Sequence, residues 1–219
     1  MTKRKKQIKK SALMIIILTI LVSVGLYFLL FSKSTGGLLV RSKDKTAKFD
    51  YTLDKDNTNL MKENFKELKD ILANDNINYE DYAKTLAKLF IIDLYTIDNK
   101  KSMYDVGSLE YVYDKENFKT RCQNTLYKGL KDKSTRKNNE YPIVESINID
   151  SFENGEFTYN DNKYESYDVT LSWDYKKDLG YDKSGKVTII KIEDKLYVVS
   201  YEGGAEWNIW KENLKEVSP

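Results

Sequence analysis

Residues 12–31 read "ALMIIILTILVSVGLYFLLF", twenty positions without a charged side chain, broken in polarity only by Thr19, Ser23 and Gly25. A helix rising about 1.5 Å per residue would carry this run across the roughly 30 Å hydrocarbon core of a bilayer. A secretory signal core is shorter, about 7–15 residues, and ends in small residues. This run ends Leu-Leu-Phe-Ser-Lys-Ser, and no cysteine lies near it, which excludes a bacterial lipoprotein anchor. A long buried core helix fits poorly beside such charged neighbours. The run therefore predicts an uncleaved, single-pass transmembrane helix. Lys3, Arg4, Lys5, Lys6, Lys9 and Lys10 precede it with no acid among them. By the positive-inside rule the tail of residues 1–11 stays cytoplasmic, and residues 32–219 lie outside the cytoplasm.

The formal net charge is +2, so with a tail this basic the remainder is mildly acidic. That balance argues against nucleic acid as a partner, because phosphate binding needs clustered Lys and Arg. At 41% hydrophobic and 32% charged, the bulk of the chain has the composition of a folded, water-facing domain rather than a disordered one. Cys122 is the only cysteine, so no intramolecular disulfide can form. Lys, Asn, Ile and Tyr are abundant beside only four arginines, as in an AT-rich genome. With a disulfide-free exterior, that points to a Gram-positive cell.

The chain holds no histidine, which removes Ser-His-Asp and Cys-His catalysis, HExxH zinc sites and histidine pH switches. Cys122, on the apolar stripe of an expected helix, reads as a small core residue rather than a nucleophile. No phosphate-binding glycine loop is present. Asp54-Lys-Asp56-Asn-Thr58 starts like a calcium loop but has Asn59 where glycine is needed and Phe65 where the bidentate glutamate should stand. Paired carboxylates for glycoside hydrolysis have to converge in a cleft. Acids such as Asp168 and Asp174, on the polar face of a strand, read as solvated. The expectation is a protein that is not an enzyme and uses no metal and no cofactor.

Residues 32–54 read as a polar linker containing Gly36-Gly37, and residues 55–219 as the outer domain. Leu60, Met61, Phe65, Leu68, Ile71 and Leu72 recur at helical spacing. Tyr79, Tyr82, Ala83, Leu86, Leu89, Phe90 and Leu94 form a second, broader apolar face with Asn78 as N-cap. A third helix is predicted from the Asp114 cap through "KENFKTRCQNTLYKGLKD", with Phe118, Cys122, Leu126 and Leu130 on one stripe; Gly107-Ser108 mark a break before it. After Pro142 the period changes to two. Ile143, Ile147 and Ile149 share a face, and Asn154-Gly155 predicts a type I′ hairpin turn. In "YDVTLSWDY" the residues Tyr167, Val169, Leu171, Trp173 and Tyr175 alternate with polar ones. Ser184-Gly185 marks a turn, "KVTIIKI" and "LYVVSY" form a hairpin through Glu193-Asp194-Lys195, and "EWNIWKENLKEV" predicts a short helix with Trp207, Trp210 and Leu214 on one side.

Helices first and an antiparallel meander afterwards predict an α+β fold with helices packed on a curved antiparallel sheet. The order is similar to the cone-shaped roll of the nuclear-transport-factor-like, or cystatin-like, superfamily. With a basic tail, one span and one such domain, and with the stretch "LEYVYDKENFKTRCQNTLYKGL" before the first strand, the chain resembles the VirB-type bitopic assembly component of type IV secretion and conjugation systems. The Asn-Pro-x-Gly motif of many Gram-negative members is missing. The resemblance implies a non-catalytic scaffold that self-associates and contacts other secretion-channel subunits. The aromatic content, 13% of the chain, suits interfaces as well as cores. Trp173, Trp207 and Trp210 are the candidate interaction residues, with the third helix and the strand around Trp173 as candidate surfaces. The alternative is a cell-surface binding module for wall glycan or a small ligand. A membrane-anchored sensor is harder to reconcile with so short a cytoplasmic tail.

Overall fold

The computed structural model describes residues 44–136 and 140–203. The basic tail, the expected span at 12–31, Gly36-Gly37 and the expected C-terminal helix with Trp207, Trp210 and Leu214 lie outside the described residues. Among the described residues no helix is long and apolar enough to cross a membrane.

Two short antiparallel strands come first, β1 (Asp44–Lys45) and β2 (Thr52–Leu53), followed by the helices α1 (Asn59–Ala73), α2 (Tyr79–Tyr95) and α3 (Lys115–Asn124). A four-stranded antiparallel meander then runs in spatial order β3 (Val144–Tyr159), β4 (Asn162–Tyr175), β5 (Ser184–Ile192) and β6 (Lys195–Glu202). The architecture is α+β, a few helices against one antiparallel sheet. The folded part starts earlier than residue 55. Tyr51 and Leu53, expected in the linker, are buried in the core. Phe49, Tyr51 and Leu53 alternate with polar residues, a period-two signal too short to stand out from the polar stretch around it.

Each helix starts where a short polar side chain can satisfy the first free amides. Thr58 accepts from Met61 N, Asn78 from Glu80 N and Asp81 N, and Asp114 from Asn117 N. The inward stripe of α1 is Met61, Phe65, Leu68 and Leu72. Helix α2 is buried over most of its circumference, Ile91, Ile92 and Tyr95 included, and forms the centre of the core. Helix α3 ends at Asn124, short of the expected end. Thr125 N donates back to Arg121 O, Tyr127 N donates to Cys122 O, and Gly129 takes a positive φ of 79°. The chain turns there because Tyr127 is needed elsewhere. Its hydroxyl donates to Leu94 O at 2.8 Å and accepts from Gly107 N at 3.2 Å inside the core.

Strand β3 passes straight through Asn154-Gly155, which pair with Tyr167 and Ser166. The two-residue turn is instead Asn160-Asp161, with φ of 47° and 61°, as a type I′ turn requires. The apolar register decides between the two. In the observed pairing Ile147, Ile149 and Phe152 face Trp173, Leu171 and Val169. A turn at Asn154-Gly155 would set Ile149 opposite Asn160 and Ile147 opposite Asn162, and the core face would be lost. Ser184-Gly185 likewise open β5 rather than forming a turn. The β5–β6 connection is the expected hairpin, with Ile192 opposite Lys195.

Register shifts at Val144/Ser146, Ile149/Ser151 and Thr188/Ile189 mark bulges, which bend and twist the long strands. Tyr113 packs edge-on against Tyr159 of β3 and Tyr197 of β6, at 5.4 and 5.6 Å between ring centroids. These strands are opposite edges of the sheet, about 14 Å apart if it were flat. One tyrosine therefore reaches both edges through their bending.

Candidate interaction surface

Trp173 sits on β4 and is 2% exposed. Its indole Nε1 donates to the Tyr175 hydroxyl at 2.8 Å, which in turn donates to Asp182 O at 2.6 Å, and its ring lies 5.2 Å from Tyr95. The side chain is a core member and offers no surface to a partner. Its position on the alternating apolar face of β4 already places it there. Trp207 and Trp210 lie outside the described residues. Phe118 and Cys122 of α3 are also buried, and burial pushes the Cys122 thiol well above its ordinary range. What α3 leaves outside is polar: Lys115, Glu116, Thr120 and Asn124.

Half of the described tyrosines are buried in the core. Tyr51 and Tyr82 share a hydroxyl–hydroxyl hydrogen bond of 2.7 Å, and Tyr51 also donates to Leu196 O. Tyr95 and Tyr201 form a second such pair at 3.0 Å, joined by Asp182. Buried phenols satisfied in this way hold helices to strands, and burial raises their pKa values.

A partly buried ionic cluster straps the loop after α2. Asp93 accepts from Lys100 Nζ at 2.5 Å and from Ser108 N, while Ser108 Oγ donates to Phe90 O at 2.7 Å. A Cβ on Gly107 would come within 2.3 Å of Asp93 O, so only glycine lets the strap close. Nearby, Glu110 accepts from Thr52 N and Oγ1, and burial raises its carboxyl above the ordinary value. These groups satisfy one another, which is the arrangement of a fastening rather than of a reaction centre. Among the described residues no group of three or more His, Cys, Asp or Glu could hold a metal ion.

A groove of about 340 Å³ opens between Lys48, Phe49, Ile77, Tyr79, Lys191 and Asp194. Four of its polar side chains are already engaged. Lys48 donates to Asn74 O, Tyr79 donates to Asp194, and Lys191 lies 3.7 Å from the Tyr79 ring centroid and beside Glu165. A ligand would have to displace those contacts before making its own.

The edges of the sheet differ sharply. Along β6 the segment 111–113 adds a short parallel bridge, Val112 to Val198, with Tyr113 N donating to Val198 O and Val198 N to Tyr111 O. Along β3 nothing comparable is found. Among the described residues the backbone of 145–159 bonds only to β4, and most of its side chains are exposed. This open edge is the residue set that sequence reasoning misses, because a turn placed at Asn154-Gly155 cuts the strand in half. The usable signal was Asn160-Asp161, flanked by Phe157 and Tyr164, which pair across the true hairpin.

No family model, curated protein or solved structure matches this chain.

Proposed function

We propose that this chain is a non-catalytic, membrane-anchored assembly or scaffold component of a conjugative type IV secretion channel. Residues 12–31 anchor it, the tail is cytoplasmic, and the outer domain works through contacts with other channel subunits. The observation that carries this reading is the long edge of β3, unpaired among the described residues, on a domain whose internal polar groups are largely engaged with one another. An extended segment can add to such an edge by main-chain hydrogen bonds alone. Three helices followed by a bulged four-stranded meander support the finer assignment to a nuclear-transport-factor-like roll. The hydrophobic run, the basic tail and the lack of histidine support the anchor and the non-enzymatic role.

The test is a crosslinked pull-down of the tagged, membrane-resident protein from its native cells, with partners identified by mass spectrometry. Recovery of a secretion ATPase together with other membrane channel subunits is the expected result. Recovery of wall material, or of this chain alone, would overturn the proposal.

A further inference from the structure

We propose that the outer edge of β3, over residues 151–159, takes up one strand from a partner protein whose extended segment carries lysine or arginine. The proposal rests on the assembly reading above and names the chemistry of the partner. The open edge spans two different halves. In the first, Glu145 and Asp150 are the extra residues of two bulges, and bulges with charges are how natural edges resist pairing. In the second, Ser151 to Tyr159 pair with β4 in unbroken register. Nine residues at about 3.3 Å each give roughly 30 Å of regular edge that no other described residue pairs with.

Charge selects the occupant. Strand β3 carries Glu145, Asp150, Glu153 and Glu156 and no basic residue, and the whole β3–β4 hairpin has eight acids against the single Lys163. Lys163 is already spent on Glu156, at 3.4 Å, and Lys186 of β5 on Asp168, at 2.7 Å. A second copy docking edge to edge would double the carboxylates along one seam without adding a cation, and like charges facing across a strand pair repel. The basic tail, Lys3 to Lys10, sits on the far side of the bilayer in the anchor reading. A foreign strand with alternating Lys or Arg meets both requirements, backbone pairing and charge.

The experiment uses the full chain in a zwitterionic detergent and two twelve-residue peptides, one alternating Lys with Val and Thr, the other Glu with Val and Thr. Amide hydrogen exchange is followed along β3 and β4. The lysine peptide is expected to slow exchange within 151–159 by about tenfold at low salt, with the effect shrinking as salt screens the charges. The glutamate peptide is expected to do nothing. The double variant Glu153→Lys/Glu156→Lys should lose the response, while unchanged exchange in β4 shows that it is folded. No slowing, equal slowing by both peptides, or slowing that grows with protein concentration without peptide would each overturn the proposal, the last by assigning the edge to a second copy. If native cells yield the channel subunits but the edge ignores the lysine peptide, this inference falls and the assembly reading stands. The opposite pair of results leaves the edge chemistry and removes the assembly reading.

Discussion

Asp93 and Glu110 show how differently two half-buried carboxylates can act. Asp93 has a cation and a backbone amide as partners, with the Lys100 side chain only 8% exposed. Removing one member of a buried pair leaves the other charge uncompensated. Asp93→Ala should therefore cost about 3 kcal/mol, read as a lower urea midpoint with an unchanged slope. A loss within experimental error would show that the strap is not holding the loop. Glu110 has neutral donors and no cation at hydrogen-bond distance, and burial raises its pKa above 4.5. The folded chain keeps that proton where the unfolded chain has released it. Its contribution is then fully present in acid and is lost as pH rises through the folded value. Glu110→Gln, whose amide oxygen can still accept from Thr52, should flatten the dependence of stability on pH just above the ordinary glutamate range. An unchanged slope would remove Glu110 as its source.

The β3–β4 hairpin makes opposite predictions for two asparagine-led pairs that look alike in sequence. Gly155 lies within a strand, and a Cβ there would touch only Ser166 Oγ, at 3.5 Å, an ordinary contact. Gly155→Ala should be neutral or stabilising by up to about 0.5 kcal/mol, since glycine weakens strand interiors. Asp161 holds a φ of 61° in the turn. Asp161→Gly completes the favoured Asn-Gly type I′ pair and should stabilise by about 0.5 kcal/mol, whereas Asp161→Val should destabilise. Thermal unfolding of the three variants gives the order. If Gly155→Ala were the damaging one, the hairpin would turn at Asn154-Gly155 after all.

The described residues from Asp44 to Gly203 form their own core, with Tyr51 and Leu53 packed into the cluster that holds α2 and the sheet. Removal of residues 1–31 should therefore yield a domain that stays in solution without detergent, monomeric or weakly self-associating at low concentration. Size-exclusion chromatography with light scattering checks it. A domain that needs detergent would contradict the reading of 12–31 as the membrane-binding part. A truncation that also removes Asp44–Leu53 should unfold or aggregate, because it takes away Tyr51 and its hydrogen bonds to Tyr82 and Leu196.

Periodicity and capping chemistry carried the three helix starts, the inward face of β4 and the β5–β6 hairpin, because these depend on neighbours within a few residues. The composition alone ruled out every mechanism that needs histidine. Other features depended on residues far apart. The choice between two plausible turns rested on which register matched Ile147, Ile149 and Phe152 to the apolar face of β4. The early end of α3 followed from the two backbone partners that Tyr127 finds on α2 and in the loop after it. Trp173 is legible as a core residue from its place on the alternating face of β4, and the structure adds that Tyr95 and Tyr175 close around it. The open edge of β3 is the extreme case: a strand is an edge only by virtue of what fails to pair beside it, and no local sequence signal records that.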